Sequence, residues 1–123
     1  MIVGDGKYRY EYVDGWEQLP DGWFHGDVAG VATDSQNRVY VFNRSEHPVI
    51  IYDEDGTFID TWGDAKQFPR PHGITIVDDI VYLADDTDHT VRKCTLDGKA
   101  PQPAGPRPSG AGRALTIRLK SAR

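Results

Sequence analysis

The chain has 123 residues, 38% of them apolar and 27% charged, with 14 basic and 19 acidic side chains giving a net charge of −5, and one cysteine, Cys94. That is room for one domain with a core of its own, while a lone cysteine excludes an internal disulfide framework. No stretch approaches the roughly 18 apolar residues of a membrane span, and Met1–Asp5 is not a basic start followed by an apolar run, so the sequence shows no signal peptide and reads as cytoplasmic.

Residues 1–27 read as a lead-in. Lys7-Tyr8-Arg9-Tyr10-Glu11-Tyr12-Val13 alternates tyrosine with charge, which predicts a half-exposed strand. In a closed propeller such a terminal strand completes the blade built by the other terminus. Asp14-Gly15 and Asp21-Gly22 turn the chain, and Trp16, Leu19, Trp23 and Phe24 supply bulk to pack against the first blade.

Residues 28–98 repeat themselves. Gly30 to Gly56 is echoed by Gly73 to Gly98, which sets Tyr40 on Tyr82, His47 on His89 and Asp55-Gly56 on Asp97-Gly98, with one residue missing where Asp78-Asp79 replaces Ser35-Gln36-Asn37. Val39–Phe42 and Val81–Ala84 are short, β-branched and aromatic, and a further strand follows each at a spacing of about ten residues. The Asp-Gly pairs supply hairpin turns, and Phe58–Trp62 makes a fourth strand. Four antiparallel strands in a period of about 42 predict a propeller blade, so the fold class expected is all-β, a partial propeller of about two blades. Two blades do not close a ring: the expectation is a portion of a longer propeller, or copies that associate through the open blade edge.

Residues 99–123 change character. From Ala100 onward they hold half of the eight prolines and five basic residues, whereas all 19 acidic residues precede them. This composition predicts a disordered tail, and its Ala, Pro, Gly, Arg and Ser mixture is what GC-rich DNA gives when read out of phase. Five charges over 24 residues without an aromatic make a weak nucleic-acid arm.

Strand direction sorts the polar residues. In a four-stranded antiparallel blade, the loop leading into the first strand and the loop joining the second to the third share one face. His25, Arg44, Glu46, His47, Arg70, His72, Asp85, Asp86, Asp88 and His89 fall on that rim, with all four histidines among them. His72, at the start of an innermost strand, suits either a metal ligand or a hydrogen-bonded structural histidine. Arg44 suits a carboxylate clamp or a simple pair with Glu46 or Asp86. His47 and His89, at equivalent positions, are expected to hold the loops before the third strands. Asp85-Asp86-Thr87-Asp88 offers oxygens to calcium or is a solvated acidic turn. Cys94 reads as a packed strand cysteine.

The repeat resembles the NHL repeat of β-propellers, through Gly30-Val31-Ala32-Thr33-Asp34, the Val-Tyr-Val centre, the Asp-Gly turn and the closing Trp62-Gly63. More narrowly, Val41–His47, Pro71-His72-Gly73-Ile74 and Asp88–Val91 resemble the peptidyl-α-hydroxyglycine α-amidating lyase group. That resemblance implies a six-bladed propeller with a central zinc on three histidines from different blades, cleaving a C-terminal α-hydroxyglycine into an amidated peptide and glyoxylate. His72 would be a zinc ligand and Arg44 a catalytic cation beside the reacting group. The backbone of Ile74 would contribute to a structural calcium, and His25, His47, Asp86 and His89 would stand around the rim. The two other zinc histidines and the general base belong to later blades. The chain is therefore expected to be inactive by itself and to hold no metal tightly, with zinc and calcium belonging to a full-length parent whose rim takes a peptide or small ligand. The second reading is a non-catalytic NHL module that binds a protein, peptide or other ligand on the same rim.

Overall fold

The computed structural model describes residues 1–101 and the strand at 115–118. Among the described residues there is no helix, so none crosses a membrane as a helix. Ten strands run in chain order: β1 (Ile2–Asp5), β2 (Tyr8–Glu11), β3 (Asp27–Thr33), β4 (Val39–Arg44), β5 (Val49–Tyr52), β6 (Phe58–Trp62), β7 (Pro71–Val77), β8 (Ile80–Asp85), β9 (Thr90–Thr95) and β10 (Leu115–Arg118). They form a hairpin, β1-β2, and two four-stranded antiparallel meanders, β3-β4-β5-β6 and β7-β8-β9-β10. The expected pair of blades is present.

The two blades pack face to face because their strands alternate. Tyr40 and Phe42 of β4 with Val49 and Ile51 of β5 meet Val81 and Leu83 of β8 and Cys94 of β9, with Ile74 and Ile76 at the margin. The innermost strands β3 and β7 lie side by side. Gly30 permits that approach, since a Cβ there would stand 3.1 Å from the Ile74 side chain and 3.2 Å from its backbone nitrogen. Cys94 is buried in this core, and burial pushes its thiol up to about 11, so it is an inert packed residue.

The missing residue of the second repeat lies in its first turn. Blade one closes β3 onto β4 through residues 34–38, whereas Val77 pairs directly with Ile80 across Asp78-Asp79. Both aspartates take positive φ, 49° and 57°, the geometry of a two-residue hairpin turn that short polar side chains tolerate.

The lead-in segment packs as expected in part. Trp16, Leu19 and Trp23 cover the other face of blade one, against Val41, Ile50 and Tyr52. Gln18 donates its N–H to the Gly56 carbonyl at 2.9 Å, and Trp16 donates its indole N–H to the Glu54 carbonyl at 3.2 Å. Phe24 is instead exposed, because Trp23 and His25, its neighbours, take the two inward positions. The strand expected over Lys7–Val13 is present as β2, but it is exposed on both faces and paired in a hairpin, because Gly4 and Gly6 at positive φ fold Ile2–Asp5 back onto Tyr8–Glu11.

The strap over blade one presses closely on the Asp55-Gly56 turn. Gly56 is at φ +87°, and a Cβ there would fall 1.8 Å from the Trp16 carbonyl oxygen. Gly56→Ala is therefore expected to lose about 1–2 kcal/mol from the left-handed backbone alone and to loosen the strap, seen as a red shift of tryptophan fluorescence before global unfolding in urea.

Residues 102–114 and 119–123, most of the tail expected to be disordered, lie outside the described residues. Within the tail expected to be disordered, Leu115–Arg118 forms the fourth strand of blade two: it pairs antiparallel with β9, Leu115 opposite Lys93 and Arg118 opposite Thr90. Leu-Thr-Ile-Arg is an alternating run free of glycine and proline, and the bare edge of β9 offers it backbone groups to pair with.

Candidate functional site

In each blade one buried side chain ties the loop leading into the first strand to the loop joining the second and third. In blade one it is Asn43, at the end of β4. Its Oδ1 accepts from Gly26 N–H at 3.1 Å, and its Nδ2 donates to the His47 carbonyl at 2.9 Å. In blade two it is Asp85, whose carboxylate accepts from the N–H groups of Arg70 at 2.7 Å, Thr87 at 3.0 Å and Asp88 at 3.3 Å. Asp85 is thus neither a solvated turn residue nor an outward ligand. Its carboxylate is committed to three backbone donors, and residue 85 is buried. The role was missed in sequence although the repeat sets Asn43 on Asp85; the signal was the same polar position closing both second strands.

His72 stands where the β7 ladder skips. Pro71 pairs with Asp85 and Gly73 with Ala84, which leaves His72 as the extra residue of a β-bulge. A bulge re-aims its side chain out of the pleat, and His72 is exposed at the mouth of a cleft of about 220 Å³ that it lines with Ala84, Asp85, Asp86, His89 and Val91. Blade one carries the same bulge, with Ala29 as its extra residue between Val28 and Gly30.

Arg44 comes to the same place from the other blade. Its Nε donates to the Pro71 carbonyl at 3.0 Å, one residue from His72, and its Nη1 lies 3.7 Å from Asp27. The acidic partner is therefore Asp27, not Glu46 or Asp86 as the sequence suggested, because Asp27 sits directly opposite Arg44 in the β3-β4 register. Asp86 pairs with Arg70 at 3.5 Å, and its Oδ1 is buried without a hydrogen-bond partner among the described residues.

The histidines divide between two environments. His72 and His89 share the cleft, His89 at φ 53°. His25 is hydrogen-bonded through Nε2 to the Tyr52 hydroxyl at 2.8 Å, and burial raises that phenol to about 12. His47 stacks on Trp23 with ring centroids 3.4 Å apart and planes 7° from parallel. The two repeat-equivalent histidines thus differ: His47 clamps the strap to blade one, whereas His89 faces the cleft. Ile74, half-buried in β7, pairs with Leu83 of β8.

A larger cleft of about 400 Å³ opens between the blades elsewhere, lined by Arg38, Tyr40, Ile59, Asp60, Asp79 and Asp97 among others. Most of its charged groups are already engaged. Arg38 is paired with Asp34 at 2.6 Å, Asp79 accepts from Ser35 N–H at 2.9 Å, and Asp97 is paired with Lys99 at 3.3 Å.

Compared with known proteins, the chain matches no family model, and no curated protein matches it. A catalytic zinc of the kind implied by the resemblance needs three converging ligands. Among the described residues no three His, Cys, Asp or Glu side chains stand together closely enough to hold a metal ion, so the described residues do not by themselves build that centre.

Proposed function

We propose that these two blades are a portion of an NHL-repeat propeller of the peptidyl-α-hydroxyglycine α-amidating lyase kind, inactive by itself, to which they contribute Arg44 and His72. The observation that carries this reading is the Arg44 Nε to Pro71 carbonyl bond. It holds a guanidinium from one blade beside the exposed bulge histidine of the next, at the rim where strands of different blades converge. In the reaction proposed, the substrate hydroxyl loses its proton, the C–N bond breaks with its electrons passing to nitrogen, and nitrogen regains a proton to leave an amide and glyoxylate. Arg44 would hold negative charge on the reacting group. The metal ligands beyond His72 would come from outside these two blades, and we place the protein in the cytoplasm.

The coding DNA, read in every frame beyond the described strands, should continue into blades with two further rim histidines. The extended chain, loaded with zinc, should then release glyoxylate from a peptidyl-α-hydroxyglycine, and Arg44→Ala should lower kcat by about 10²–10³. Peptide binding without glyoxylate would replace the lyase with the second reading, a non-catalytic NHL module. The apolar floor of the His72 cleft, Ala84 and Val91, favours that reading.

A further inference from the structure

The strands of each blade are laid down outward from the innermost pair. β3 and β7 lie side by side, so β6, at the far side of blade one, faces away from the propeller axis, and a ring of any size leaves it at the circumference. Its sheet neighbour is β5. Gln18 of the strap makes a parallel bridge to Thr57, but among the described residues no strand other than β5 packs on Phe58–Trp62. A strand with one edge unpaired offers a row of main-chain N–H and C=O groups to an incoming strand.

The ground beside that edge is shaped and charged. The cleft of about 400 Å³ between the two blades has Tyr40, Ile51 and Leu96 in its lining and is bordered on β6 by Ile59 and Asp60. Two bonds across it fix the spacing of the blades: Ser35 N–H donates to Asp79 at 2.9 Å, and the Trp62 indole N–H donates to the Leu96 carbonyl at 3.0 Å. Asp60 stands opposite Ile51 and shares its face, toward blade two. Its carboxylate accepts from the N–H of its neighbour Thr61 at 2.7 Å and, among the described residues, pairs with no basic side chain. Arg38 is neutralised by the buried Asp34, and Lys99 offsets Asp97. Asp60 and Asp79 therefore leave the cleft acidic.

We propose that β6 takes a further strand from a partner protein: an extended segment with a basic side chain, arginine or lysine, placed across from Asp60. A residue directly across from Asp60 projects from the same face, its Cβ about 4.5–5.5 Å away, which brings it over the cleft. Its apolar stem runs along Ile51 and Leu96 while its charged head joins the carboxylates. Main-chain bonds to β6 supply affinity and this one side chain supplies selectivity. The symmetric alternative, a second copy pairing β6 with β6 about its midpoint, sets Asp60 against Asp60, and like charges directly opposite are destabilising. The edge and its cleft lie wholly within blade one and its contact with blade two, so neither ring closure nor the chemistry of the rim bears on them.

Fluorescence anisotropy of a fluorescein-labelled probe, Thr-Val-Thr-Arg-Thr-Val-Thr-amide, tests this on the 123-residue chain. In the extended probe the two valines and the arginine share one face. Saturable binding is expected, weakened about tenfold or more when glutamate replaces the probe's arginine. Asp60→Lys, at an exposed position and with far-UV circular dichroism unchanged, should invert that order and favour the glutamate probe. Methylating one set of alternate probe amides should abolish binding and methylating the other set should spare it, because an added strand turns only alternate amides toward the edge. No saturable binding, equal binding of the two probes, an order that Asp60→Lys leaves unchanged, or indifference to both methylation sets would overturn the proposal. So would a dimer of the chain in sedimentation equilibrium that the arginine probe dissociates, since a second copy would then be the occupant.

Discussion

Asp34→Ala should cost about 3–5 kcal/mol in urea unfolding, one of the two largest losses we expect from a single side chain. The Asp34 side chain is fully buried at the first turn of blade one. Its carboxylate accepts from the N–H groups of Gln36 at 2.9 Å and Arg38 at 3.0 Å, from Arg38 Nε at 2.6 Å and from the Tyr40 hydroxyl at 3.1 Å. Removing it strands two backbone donors, a guanidinium and a buried phenol, and breaking a buried charge pair from one side carries that penalty. Burial alone would raise the carboxyl pKa, but the bonds from Arg38, Gln36 and Tyr40 outweigh it and hold the group below its ordinary 3.8. A carboxylate depressed in the folded state contributes stability that is complete above its unfolded value and is lost as pH falls through the folded one. Wild-type stability should therefore decline below about pH 4, and Asp34→Ala should decline less steeply there. Asp55 and Asp97, also held low, by hydrogen bonds from Thr57 and Thr95 respectively, keep some acid sensitivity in the variant.

Phe68→Ala is expected to cost about 3–5 kcal/mol and to uncouple the blades. Phe68 lies in the connection between them, only 2% exposed. The loop is wound to deliver it: Asp64 Oδ1 accepts from the N–H groups of Lys66 and Gln67, both at 2.8 Å, and Phe68 N–H reaches the Asp64 carbonyl at 2.9 Å. The ring then meets Phe42 edge-on at 5.3 Å, leans on Trp62 at 6.4 Å, and carries the Arg92 guanidinium at 5.3 Å. It touches both blades, so its loss should separate unfolding into two transitions by calorimetry, whereas Phe68→Leu should keep one.

What was legible in the sequence was whatever the repeat wrote twice. Alternation and Asp-Gly turns made β3 to β9 legible because each strand buries one face against a neighbour, whereas β10 was missed because its four residues follow a proline-rich segment, and β1 because Ile2–Asp5 is too short a run to show a period. Phe68 was passed over, since a single aromatic in a connection, just before Pro69, has no period to betray it. The rim was legible as a list of residues but not as a geometry. Arg44 and His72 are 28 residues apart in sequence and are joined by a main-chain carbonyl, which leaves no trace in side-chain identity. The division of the histidines depended on Trp23 and Tyr52, which reach His47 and His25 from other elements.

The paired bulges have a consequence for how such a rim changes. Ala29 and His72 occupy one backbone detour, repeated in both blades and held in each by the same polar staple, Asn43 or Asp85. The detour is a socket with an interchangeable plug. Its shape is fixed by bonds that do not involve the occupant's side chain, and His72 stands exposed on it, so that imidazole can be withdrawn without disturbing the packing below. The side chain shown on this part of the rim is thus separable from the backbone that presents it.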